Sequence, residues 1–172
     1  FNAAGQTQRL TSGLASRVER LARSRPIEGF PPVLAFQSTV DSTVRAEAVV
    51  DALLEHLAPG NHELVLFDVN RLAGAQALLV RDPGPLTARL LAMPARTFAL
   101  TVITNTSVET DQLKELRAGP GSPSQTSRPL ELTWPRGVFS LSHVALPFPP
   151  DDPLYGFLSE RNGRHVQLGR VQ

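Results

Sequence analysis

The chain contains no cysteine. That excludes disulfides, zinc–thiolate centres and a cysteine nucleophile, and it suits the cytoplasm and the periplasm alike. Lysine is almost missing too: Lys114 is the only one, so the basic residues are otherwise all arginine. Acidic and basic residues nearly cancel, at a formal net charge of +1. With no Lys/Arg-rich run, nothing marks a nucleic-acid footprint. No apolar run approaches the roughly 20 residues that a membrane-spanning helix needs. The four histidines, His56, His62, His143 and His165, show no HExxH or other ligand spacing, so neither a metal nor a cofactor is implied.

What is present is a globular composition. The chain has 172 residues, 41% of them hydrophobic, enough for one domain with a sizeable core. It begins with Phe1 rather than Met and reads as a piece of a longer product, in which a signal peptide would be out of view. Gln6 to Arg23 has helical periodicity, with Leu10, Leu14, Val18, Leu21 and Ala22 on one face. After Pro31-Pro32, Val33 to Gln37 reads as a short strand buried on both faces. A helix capped by Ser42 or Thr43 then runs to about Leu57 and stops at Pro59-Gly60. Glu63 to Val69 is a second strand, which completes a βαβ unit with parallel strands.

Beyond Asn70 the pattern weakens. Ala73 to Val80 reads as a helical turn or ordered loop, and Pro85 to Met93 as a helix with proline in its first turn. Phe98 to Thr104 is a third, β-branched strand. Val108 to Leu116 reads as a short helix, Gly119 to Pro129 as a surface loop, and residues 157–172 as a polar tail. The expected fold class is α/β: a partial doubly wound, mostly parallel sheet of three or four strands flanked by helices. So thin a parallel sheet should expose an apolar face or a strand edge, or have it covered by a missing half or a second copy.

Two residues stand out chemically. Asp41 follows the first strand by a few residues, where a carboxylate can be held rigidly; a helix-capping role competes with a catalytic one. His143 sits among Ser140, Ser142 and apolar, proline-fixed sequence. That setting suits a general base or a structural imidazole bonded to a carbonyl. His56, His62 and His165 read as surface residues, and Asp151-Asp152, after two prolines, as a turn.

The segment Pro32-Val33-Leu34-Ala35-Phe36-Gln37-Ser38-Thr39-Val40-Asp41-Ser42-Thr43-Val44 resembles the late strand and acid turn of α/β-hydrolases. Gly137 to Gly156, with Ser140-Leu141-Ser142-His143 followed by Pro147-Phe148-Pro149-Pro150, resembles their histidine loop. Together they look like the second half of a bacterial enzyme of the carboxylesterase or lysophospholipase-like kind, over about half of the chain. The resemblance implies Asp41 as triad acid, His143 as triad base and a small-molecule ester as substrate. It requires an insertion at residues 71–136, because in the family the histidine follows directly on the strand after the acid's helix. No GxSxG occurs, so the nucleophilic serine would lie outside this chain. An acyl transferase or peptidase would use the same triad, and a non-catalytic α/β binding or assembly module is the alternative.

Overall fold

The computed structural model describes residues 3–41, 44–73, 82–122 and 124–141. The elements run α1 (Ala3–Ala22), β1 (Leu34–Ser38), α2 (Ala46–Ala52), β2 (Glu63–Phe67), α3 (Gly84–Leu91), β3 (Ala99–Asn105), β4 (Gln112–Ala118) and β5 (Gln125–Thr133). Short 3-10 turns lie at Leu54–His56 and Arg71–Ala73. The fold is α/β: one mixed sheet, in the order β1-β2-β3-β4-β5, flanked by helices.

Strands β1, β2 and β3 are parallel neighbours, with Phe36 opposite Val65 and Val65 opposite Thr101. The expected βαβ unit is therefore present. The second half of the sheet departs from a mostly parallel one. Strands β4 and β5 are antiparallel, with Val102 opposite Leu116 and Leu116 opposite Ser127. Gln112 to Ala118 is thus a strand, where a short helix was expected over Val108 to Leu116. Its Leu-Lys-Glu-Leu-Arg run favours helix locally, but Leu113 and Ala118 are buried only when it pairs with β3. The expected loop over Gly119 to Pro129 shrinks to a turn, because its second half pairs with β4. Pro129 is tolerated there because β5 is an edge strand.

The core lies on one face of the sheet. Val50, Leu54 and Leu57 from α2 and the turn after it, with Leu90 and Leu91 from α3, pack on Leu64, Leu66, Leu100, Val102 and Ala118. Strand alternation sends the intervening side chains to the opposite face. There Leu34 and Phe36 are 59% and 61% exposed, and Val65, Phe67 and Ile103 are half-buried. Strand β1 is therefore not buried on both faces as its apolar run suggested: among the described residues it is an edge strand with helices on one side only. Helix α1 behaves similarly. Ala15, Val18 and Ala22 are half-buried, while Leu10, Leu14 and Leu21 remain exposed. An apolar face and a strand edge are thus exposed among the described residues.

Helix α2 starts later than expected. Arg45 is its N-cap, without a side-chain cap bond; the expected cap residues Ser42 and Thr43 lie outside the described residues. The turn closed by Asp41 intervenes. One residue organises the far end of the core. Arg96 is 2% exposed, and its guanidinium donates to the carbonyls of Leu90, Leu91, Met93, Phe98, Gly119 and Ser122, at 2.8 to 3.4 Å. It ties the carboxyl end of α3 to the β4–β5 turn, where Gly121 adopts a positive φ of 63° and returns a hydrogen bond to the Arg96 carbonyl.

Candidate functional site

Asp41 lies just past the carboxyl end of β1, where open α/β sheets place their ligand sites. It is 7% exposed. Its backbone N–H donates to the Ser38 carbonyl. The Val44 N–H donates to Oδ1 at 2.9 Å, and the Gln37 side-chain amide donates to Oδ2 at 3.2 Å. That same Gln37 nitrogen also donates to the Val44 carbonyl. Asp41 therefore closes a turn ahead of α2 and is not its cap. Nearby, the buried Thr39 hydroxyl has no hydrogen-bond partner among the described residues, a feature that costs stability unless a site uses it.

Asp41 faces an open depression of about 260 Å³, lined by Phe36, Gln37, Ser38, Asp41, Val44, Phe67 and Leu141. The Phe36 and Phe67 rings stack with centroids 6.4 Å apart. Asp41 is the one ionisable side chain among these lining residues.

Leu141 reaches this depression through a polar network at the ends of β2 and β3. Asn70 donates from its backbone to the Phe139 carbonyl at 2.7 Å and from its side chain to the Val138 carbonyl at 2.9 Å. Its Oδ1 accepts from Asn105 and from the Leu72 N–H. The Asn105 amide also donates to the Thr110 carbonyl, while its oxygen accepts from the Arg71 N–H and the Trp134 indole. All four hydrogen-bonding positions of Asn105 are thus used. Beside it, Asp68 accepts a two-nitrogen contact from Arg71 and a bond from the Thr104 hydroxyl at 2.8 Å. The chain leaves the site after Asn70, builds α3 and β3 to β5, and is brought back to Asn70 at Val138 and Phe139.

His143 lies outside the described residues, as do residues 74–81, Asp151-Asp152, His165 and the polar tail at 157–172. Leu141 is two residues before His143. His56 is half-buried. His62 is buried rather than superficial, because its Nδ1 accepts the Val33 N–H at 3.2 Å. It lines a smaller depression of about 110 Å³ with Phe30 and Gly60, at the amino ends of the strands and away from Asp41.

Gln37, Asp68, Asn70 and Asn105 were not singled out by sequence. Their signal is positional, since each stands in or just beyond the carboxyl end of a parallel strand. Among the described residues no group of three or more acidic or histidine side chains could hold a metal ion, and no helix is long and apolar enough to cross a membrane. Comparison with protein-family models, with curated proteins and with solved structures finds no match to this chain.

Proposed function

We propose that this chain carries the acid and the base of a serine-dependent hydrolase of carboxylic esters, of the α/β-hydrolase kind, with the serine on polypeptide outside it. The serine oxygen attacks the ester carbonyl carbon while His143 takes its proton as general base. The same proton passes to the leaving alcohol as the C–O bond breaks, and water, activated by His143, then hydrolyses the acyl-enzyme. Asp41 holds the imidazole tautomer and stabilises its cationic form.

The observation that carries this reading is the return of the chain to Asn70. It brings Leu141 to the wall of the depression that Asp41 lines. Leu141 precedes His143 by two residues in the sequence. A long excursion between acid and base is therefore compatible with a triad, because the base is not required to follow β2 directly. The exposed Leu34 and Phe36 fit further polypeptide packed beside Asp41. They equally favour the second reading, a non-catalytic module that presents this face to a partner.

A fluorophosphonate probe, applied to the longest polypeptide that carries this chain, separates the two. The hydrolase reading expects serine labelling that is abolished in His143→Ala and slowed on the order of 10³–10⁴-fold in Asp41→Asn. A folded polypeptide that is not labelled, or is labelled regardless of His143, overturns it.

A further inference from the structure

We infer that helix α1 lies flat on an anionic lipid surface, which it meets through exposed leucines bordered by arginines. Among the described residues, Leu10, Leu14 and Leu21 are 63%, 54% and 59% exposed. At 3.6 residues per turn they share one flank of the helix. Half-buried Ala15, Val18 and Ala22 lie on the adjoining flank, and the helix meets the rest of the fold at α2 and the turn Leu54–His56. The described fold therefore uses only part of the apolar arc of α1. Arg17 borders the leucine row, Arg9 and Arg20 stand further round, and Arg23 and Arg25 follow the helix; all five are exposed. The one acid in this stretch is Glu19, which leaves it a formal charge of +4 in a chain whose total is +1, so the rest of the sequence is net acidic. None of these six side chains forms an ion pair with another described residue.

An apolar strip with a cationic border is the pattern of a helix that lies in a membrane interface. Leucines enter the acyl boundary, while arginine stems run along the apolar strip and keep their heads among the headgroups. A planar guanidinium matches two oxygens of a lipid phosphate. Each such charge near an anionic surface is worth roughly fivefold in partitioning. A polynucleotide would engage the arginines but leave the leucines in water. Crossing the bilayer is not the mode, because α1 is not apolar enough. Thr7, Thr11, Ser12, Gly13 and Ser16 are weak helix formers, so a bilayer under the open flank would also stabilise the helix itself. No residue of α1 lines the Asp41 depression, and the inference stands independently of the hydrolase reading.

Flotation of the 172-residue chain with vesicles tests it, using phosphatidylcholine mixed with phosphatidylglycerol against phosphatidylcholine alone. Binding should require phosphatidylglycerol and should weaken at least tenfold between about 0.1 M and about 0.5 M salt. Arg17→Gln and Arg20→Gln should each weaken it roughly fivefold, and Leu10→Gln combined with Leu14→Gln about tenfold or more. All four positions are exposed and glutamine is a good helix former, so circular dichroism should match the parent. Phe36→Gln, on the sheet face, should bind as the parent does. In the unsubstituted chain, hydrogen exchange of the α1 amides should slow when phosphatidylglycerol vesicles are added, with β2 and β3 unchanged; this readout needs no variant. No binding to phosphatidylglycerol vesicles, equal binding to phosphatidylcholine alone, or binding insensitive to either the arginine or the leucine substitutions overturns the inference. So does self-association without vesicle binding that is lost in the Leu10→Gln, Leu14→Gln variant, which would assign the leucine flank to a second copy of the chain.

Discussion

The side-chain amide of Asn70 donates to the Val138 carbonyl at 2.9 Å, joining residues 68 positions apart. This bond and the backbone bond from Asn70 to Phe139 close the excursion that contains α3, β3, β4 and β5. Removing the donor should loosen that closure. Asn70→Ala leaves the Val138 carbonyl and the Asn105 amide short of a partner, at a cost of about 1–3 kcal/mol. Urea unfolding gives the loss. Hydrogen exchange should show faster opening of the Phe139 region than of β2.

Arg96 should be the most sensitive polar position in the core. Burial pushes its pKa below the ordinary arginine value, and six carbonyls surround it in place of a carboxylate. Arg96→Leu strands those acceptors. Arg96→Lys presents a point charge where a planar fork is needed. Both should lose on the order of 3 kcal/mol in denaturant unfolding, with lysine giving little rescue.

The β4–β5 hairpin should carry an acid-sensitive contribution. A hydrogen bond from Arg128 at 3.0 Å, with the charges of Arg128 and Arg117, holds Glu115 below the usual glutamate range against a smaller opposing effect of burial. A carboxyl depressed in the folded state stabilises above its unfolded pKa of about 4.3. That contribution is lost as pH falls through the lower folded value. Arg128→Ala should raise the Glu115 midpoint in an NMR titration and flatten this acid limb. Added salt should shrink the difference, because Arg128 lies at the surface.

The sheet face that the described residues leave uncovered should tolerate charge. Leu34→Lys and Phe36→Lys each remove an exposed apolar side chain and should change unfolding free energy by less than about 1 kcal/mol. Sedimentation should show less self-association than for the parent chain. A loss of several kcal/mol in either variant would mean that this face is covered in the folded protein.

The three parallel strands were legible because each is a short apolar or β-branched run bounded by proline, glycine or asparagine. The helix–strand alternation then left only a βαβ arrangement open. The antiparallel pair was not legible. Leu113 to Arg117 has helical composition, Gln125 to Thr133 is polar with a proline inside it, and nothing local reveals that β3 offers a hydrogen-bonding edge. Asp41 could be singled out from its place after a strand, but whether it capped a helix or closed a turn depended on Gln37 and Val44 reaching it.

The amino-acid sequence by itself determined the α/β class, the position of Asp41 and the absence of cysteine chemistry, since these follow from local periodicity and composition. Only the tertiary structure decided that β4 and β5 join the sheet and that one sheet face stays open among the described residues. It also decided that the chain returns from Asn70 to Val138. Each of these depends on pairing between residues far apart in sequence, and such contacts leave no local pattern.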